Sequence, residues 1–331
     1  MRGVIGRRRF LGSLSSATLM ALAGCSRREQ RAAASDPVQG NTAVPPVPPV
    51  ATKLPEMPPP DAAVLPRGEV GTQTWTFDNG GRAVVIVPSW TPPNQKLPVL
   101  IALHGRGEAN KGPVEGVMGW PRDYALLHAI ERVCAPPITS TDLEGFVDPK
   151  RLAELNDELA TQPFKGMVVV CPYLPDVDLR KPAPIKEYGR YLLEVVLPRV
   201  RDELPVLSTP AATGIDGVSL GGAVALRVGL GNPDAFGVVG SLQAALGEDQ
   251  VQEFTDLAKA ARAKNERLKL RLLTSKDDYF RGAISHTSLA WRAAGLDHDY
   301  VDVPGPHDYP FNRGPGAIEM LIWHDRMLAH A

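Results

Sequence analysis

From about Arg67 to the C-terminus, apolar positions fall into short runs separated by turn residues, and the runs alternate between two periods. "TQTWTF" and "RAVVIV" alternate or run apolar on either side of "DNGG", which predicts two strands joined by a hairpin turn. "LPVLIALHG" and "MVVVCPYLPD" are continuous apolar runs, as expected for central strands buried on both faces. "EYGRYLLEVVLPRVRDEL" instead repeats its apolar residues at helical spacing. Strand and helix then alternate to the end of the chain. "TPAATGIDGVS", "FGVVGSLQAAL", "RLKLRLLTS" and "HDYVDVPG" read as strands. "GGAVALRVGLGN", "VQEFTDLAKAARAKNE", "SHTSLAWRAAGL" and "GAIEMLIWHDRMLAHA" read as helices. Such alternation predicts an α/β domain, a mostly parallel central sheet with helices on both faces, over residues 67–331.

The N-terminal residues follow neither period. Arg7, Arg8 and Arg9 precede an apolar run from Leu11 to about Gly24 that is too short to span a bilayer and ends in small residues. This predicts a cleavable export signal over residues 1–24. "RRRFL" resembles a twin-arginine signal, with Gly6 where Ser or Thr is usual. "LAGC" resembles a lipobox, which predicts lipidation of Cys25 and a periplasm-facing lipoprotein held at a membrane, with Ser26 pointing to the outer one. Residues 25–66 hold ten prolines between Pro37 and Pro66 and no apolar periodicity. They predict a disordered, partly polyproline II tether that reaches on the order of 100 Å.

Charge narrows the partners. The first 24 residues contain four arginines and no acids, so their removal takes the formal charge from −1 to −5. No basic stripe with interleaved aromatics is present, which argues against nucleic acid as a partner. The chain has no H-E-x-x-H, C-x-x-C or phosphate-loop motif, and no cofactor or metal is expected. Beyond Cys25 only Cys134 and Cys171 remain, either as a disulfide formed in an oxidising compartment or as two buried thiols.

Gly217-Val218-Ser219-Leu220-Gly221 matches G-x-S-x-G at the junction of a predicted strand and helix. A turn this abrupt forces the serine backbone into a strained conformation and leaves no room for side chains two residues away on either side. Ser219 is therefore the candidate nucleophile. A serine hydroxyl needs a base, and the base needs an acid to orient it. In the chain order expected with such an elbow, Asp277 and Asp278 follow one strand and His307 follows the next. The loop "LHGRGE" supplies backbone N–H groups at Gly105, Arg106 and Gly107. Arg106, together with Leu220, is the preferred pair for an oxyanion hole. His104 reads as a structural histidine of that loop.

"LIALHGRGE", "GIDGVSLGGAVALRVGLGNPDAFGVVGSLQAAL" and "PGPHDYPFNR" together resemble the α/β-hydrolase superfamily, in its branch of esterase D, feruloyl esterase and enterochelin esterase groups. The resemblance implies an α/β-hydrolase fold, hydrolysis of small carboxylic esters by a Ser-His-Asp triad, and no cofactor. It also implies an acid three residues after a small residue that ends its strand. Counting from Ser275 gives Asp278, the preferred acid, and counting from Thr274, a β-branched and poorer substitute for glycine at a turn, gives Asp277. Residues 108–166 match no part of the pattern and are expected to form a lid or a wall of the substrate pocket. The rival readings are an acyltransferase or peptidase with the same triad, and a non-catalytic envelope lipoprotein that uses the fold as a binding module.

Overall fold

The computed structural model describes residues 67–92 and 94–331. The expected export signal, Cys25 and the proline-rich tether lie outside the described residues.

Eight strands form one sheet: β1 Val70–Thr76, β2 Arg82–Pro88, β3 Val99–Leu103, β4 Val168–Pro172, β5 Thr213–Gly217, β6 Val238–Val239, β7 Lys269–Asp277 and β8 Asp299–Pro306. Their spatial order is β1-β2-β4-β3-β5-β6-β7-β8. β1 and β2 pair as the expected antiparallel hairpin, and β2 also runs antiparallel to β4. From β4 through β8 all pairings are parallel. β3, β4 and β5 are buried along their whole length, which is why their sequences show no polar alternation.

Each face of the sheet carries its own helical layer. On one face the helices Pro182–Tyr191, Leu220–Gly231, Val251–Lys264 and Arg281–Ala293 bury Ile185, Leu226, Phe254 and Trp291. The first of these continues through one wide turn, Leu192–Val196, into Leu197–Glu203, so the expected single helix carries a π-type bulge. On the other face, Leu126–Cys134, Pro149–Thr161 and Ala317–Met327 bury Ile130, Leu155 and Leu321.

Residues 108–166, expected as a lid or a wall of the substrate pocket, send part of their length into the core. Trp120, Tyr124, Leu126, Leu155 and Leu159 are almost wholly buried and cover the sheet. A segment with this much apolar surface packed against a sheet is structural core. Cys134 and Cys171 are both free, Cys171 inside β4 and Cys134 at the end of its helix. Burial pushes the Cys134 thiol up to about 12 and raises that of Cys171 further.

One predicted strand is only partly formed. Of residues 236–246, Val238 and Val239 alone pair regularly, and Leu242 makes isolated bridges to Val218 and Leu273. Beyond Val239 the backbone still donates to both neighbouring strands, Gly240 to Ile215 and Leu242 to Gly217 on one side and Ser241 to Arg271 on the other, until Gln243 takes a left-handed φ of 44°.

The turn after β5 leaves no space at its glycines. A Cβ at Gly221 would lie 2.5 Å from the carbonyl oxygens of Leu103 and His104, and one at Gly217 would lie 2.6 Å from the Gly221 carbonyl. Gly231, at the far end of the same helix, has open space around it. Gly221→Ala is expected to destabilise the domain by about 3 kcal/mol through overpacking against backbone. Gly231→Ala is expected to be neutral or to stabilise by up to about 1 kcal/mol through helix propensity. Urea unfolding of both variants checks the contrast.

Candidate active site

Ser219 sits between β5 and the helix Leu220–Gly231 with φ 57° and ψ −115°, a conformation that L-residues avoid. Surrounding hydrogen bonds hold it there. The Ser219 N–H donates to the Leu242 carbonyl at 3.0 Å, and the Ser219 carbonyl accepts from Ala245 N at 2.9 Å and Ala223 N at 3.1 Å. Val218 N–H donates to the last carbonyl of β3, Leu103, at 3.1 Å. The elbow is therefore pinned to its neighbouring strands on both sides.

β7 and β8 end side by side, and each delivers one residue of interest directly after its last position. His307 Nδ1–H donates to Asp278 Oδ1 at 2.9 Å. That fixes the tautomer and leaves Nε2 as the free ring nitrogen. The Asp278 side chain is fully buried, as a carboxylate can be only when its oxygens are satisfied. Phe280 N–H donates to Oδ1 at 2.9 Å, and Thr274 Oγ donates to Oδ2 at 2.7 Å. Asp277, one residue earlier, is exposed. Of the two adjacent acids, the structure brings Asp278 to the histidine. Among the described residues no hydrogen bond joins Ser219 Oγ to His307, and such contacts are often loose before substrate binds.

Arg106 and Leu220 occupy equivalent places. Each is the first residue of a helical turn, Arg106–Ala109 and Leu220–Gly231, so its backbone N–H has no intrahelical acceptor. A Cβ built at Gly105 would stand 3.7 Å from Ser219 Cβ, which brings the β3 loop against the elbow. The Arg106 side chain is half exposed and donates through Nε to Asp176 Oδ1 at 2.8 Å. His104 points elsewhere: its Nε2 accepts from Leu174 N–H at 3.0 Å and its Nδ1 bonds the Gly105 carbonyl, also at 3.0 Å. It ties the ends of β3 and β4 together.

Several further residues shape the site. Gln243 is fully buried, and its Nε2 donates to Ser275 Oγ at 2.6 Å and to the Pro306 carbonyl at 2.9 Å. It clasps the ends of β7 and β8, three residues before Asp278 and directly before His307. A glutamine inside the apolar run "GSLQAAL" was the available clue. Tyr279, 71% exposed, lies against the His307 imidazole with ring centroids 4.3 Å apart. Partial burial, and then the negative charge of Asp278, raises its phenol above the usual value. Beneath the elbow, Asp216 accepts from His324 Nε2 at 2.9 Å and from Arg271 Nη2 at 3.3 Å, all three wholly buried.

A mostly parallel, two-faced sheet with a strained serine at the end of β5 and a His–Asp pair after β8 and β7 defines the class: an α/β-hydrolase fold. Residues 181–309, which include Ser219, Asp278 and His307, match the family described as "Putative esterase". No curated protein matches the chain by sequence. Among solved structures, a ferulic acid esterase is similar at 17% identity and TM-score 0.56 over 79% of this chain and 98% of that one. The S-formylglutathione hydrolase FrmB of Staphylococcus aureus is similar at 16% and 0.52, over 78% and 96%. The Staphylococcus aureus fluorophosphonate-binding serine hydrolase FphF is similar at 14% and 0.53, over 78% and 98%. These likenesses carry the fold, and over residues 181–309 the chain is similar to the family described as putative esterases. The fold class and the resemblance to carboxylic ester hydrolases read from the sequence are both borne out.

Four histidines of the domain, His104, His298, His324 and His330, are held below the ordinary value of 6.5, in each case first by burial. A histidine kept neutral in the folded state takes up its proton preferentially when the chain unfolds. Its stabilising contribution is complete above about pH 6.5 and is lost as the pH falls below that, by up to about 1.4 kcal/mol per pH unit for each group. The acids with depressed values, such as Asp123 and Asp142, start from 3.8 and act only at lower pH. The urea midpoint is therefore expected to fall between pH 7.5 and pH 5.5, as equilibrium unfolding across that range will read.

Proposed function

We propose that the domain is a serine esterase in which Ser219, His307 and Asp278 act as a catalytic triad on small carboxylic esters. The observation that carries the reading is the His307 Nδ1 to Asp278 Oδ1 hydrogen bond of 2.9 Å, on loops that follow the strained Ser219 elbow in the order such a triad requires. His307 Nε2 accepts the Ser219 hydroxyl proton as Oγ attacks the ester carbonyl. Buried Asp278 stabilises the resulting imidazolium and holds its orientation without itself taking the proton. The N–H groups of Arg106 and Leu220, both free of helical partners, receive the negative oxygen of the tetrahedral intermediate. His307 then returns its proton to the departing alkoxide, which leaves an acyl-serine. Water, deprotonated by the same histidine, releases the acid and regenerates Ser219.

The reading extends to location. The lipobox-like "LAGC" and Ser26 support a lipoprotein anchored through Cys25 at the outer membrane, with the proline-rich segment holding the catalytic domain away from the bilayer.

Three variants test the triad with aryl esters of graded acyl length. Ser219→Ala is expected to stay folded and to lose about 10⁴-fold or more in kcat. Asp278→Asn is expected to lose about 10³- to 10⁴-fold, because a neutral partner neither stabilises the imidazolium nor enforces the tautomer. Asp277→Asn, at an exposed position, is expected to change kcat by less than about tenfold. Near-normal turnover by Ser219→Ala would remove the nucleophile assignment. For the anchor, Cys25→Ser is expected to move the protein from the membrane fraction to the soluble periplasmic fraction with its specific activity intact. Continued sedimentation with membranes would mean that another element holds it.

A further inference from the structure

Glu108 is almost wholly buried, at 1% exposure, and neither the oxyanion hole nor the triad accounts for it. Burying a carboxylate is unfavourable unless its oxygens are satisfied, and here they are satisfied by groups from distant parts of the chain. The Tyr124 hydroxyl donates to Glu108 Oε2, the Tyr309 hydroxyl donates to Oε1, and Lys111 Nζ lies 3.4 Å from Oε1. Lys111 is in turn paired with Asp123 at 2.9 Å.

Both tyrosines lead to the proposed chemistry. Gly105, the residue before the turn Arg106–Ala109, donates its N–H to the Tyr124 hydroxyl at 3.2 Å. In an ordinary capping box a glutamate at the third helical position accepts from the N-cap N–H directly. Here Gly105 is the N-cap and Glu108 the third position, with a tyrosine hydroxyl inserted between them. That link holds the His104–Gly105 peptide at the entry to the oxyanion loop, and the following peptide, which carries the Arg106 N–H, is held through its Gly105 carbonyl by Ala109 N–H at 3.2 Å and His104 Nδ1 at 3.0 Å. Tyr309 is two residues after His307, so its bond to Glu108 ties the histidine loop to the same carboxylate. Gly107 keeps the space open, since a Cβ there would stand 2.9 Å from the Tyr309 hydroxyl.

We propose that Glu108 is a positioning residue that holds the oxyanion loop and the histidine loop in register through Tyr124 and Tyr309. The inference rests on the esterase reading above. It predicts that loosening the clamp weakens transition-state binding while ground-state binding is kept. Hydrogen bonds to a charged carboxylate are roughly twice as strong as neutral ones, so Glu108→Gln keeps the shape and slackens the clamp.

The test uses Glu108→Gln, Tyr309→Phe and the double variant, with Glu115→Gln as a control on an exposed carboxylate of the same segment. Active sites are first titrated with a fluorophosphonate, and kcat is then expressed per titrated site. Glu108→Gln is expected to lower kcat per site about 10- to 100-fold with KM within about threefold. Tyr309→Phe is expected to lower it about 5- to 20-fold. The double variant is expected to fall no further than Glu108→Gln alone, because both changes break one network. A boronic acid that mimics the tetrahedral intermediate is expected to bind more weakly in proportion to the loss in kcat/KM. The control should be unchanged. A kcat per titrated site within twofold of the parent in both single variants, with only a lower melting temperature or fewer titratable sites, would overturn the proposal, and so would fully multiplicative losses in the double variant. If the parent protein is neither titrated nor active on any ester, the esterase reading itself has failed and this inference falls with it.

Discussion

The backbone contact between the turn at Ser219 and the end of β3 is the constraint on which the rest of the site depends. Gly217 and Gly221 lie so close to the Leu103 and His104 carbonyls that a methyl group at either position would overlap backbone atoms. Because of that approach, the Ser219 backbone can be forced to positive φ and held there by hydrogen bonds to Leu242 and Ala245. The same approach carries the Gly105–Arg106 peptide to the elbow, where the first N–H groups of two helical turns sit without helical partners. One close packing of β3 against β5 thus sets both the strained serine and the two donors around it.

The opposite side of the site is built differently, from buried polar contacts at strand ends. Thr274, Phe280 and Gln243 surround Asp278 and the ends of β7 and β8, so the carboxylate and the histidine loop are fixed by hydrogen bonds rather than by close-packed backbone. Polar groups in such an enclosed setting direct geometry strongly when every partner is present. Glu108 spans the two sides. It lies in the β3 loop, yet one of its tyrosine partners lies two residues after His307 in the chain.

Much of this was legible from residue order. Strands buried on both faces carry continuous apolar runs, so β3 and β4 could be read before any coordinates. The elbow was legible because its glycines are required by local sterics. What could not be read depended on contacts between distant residues. The strand expected over residues 236–246 is ended by the left-handed Gln243, which has no local signature. Many apolar residues of 108–166 cover one sheet face alongside the helix Ala317–Met327, a role met by apolar residues in many orders and so marked by no motif. Glu108 has no local signature, since its partners at 124 and 309 meet it only in the folded domain.

The account stands on Ser219 as the atom that takes the acyl group. Quenching the protein with acid during turnover of a slowly deacylated aryl ester, followed by peptide mass spectrometry, reads this directly. The predicted result is one acyl group per chain, carried on Ser219 in the peptide that spans β5 and the start of the following helix. An acyl group found on any other residue, or turnover without a trapped acyl-enzyme under conditions that produce a burst of the released phenol, would contradict it.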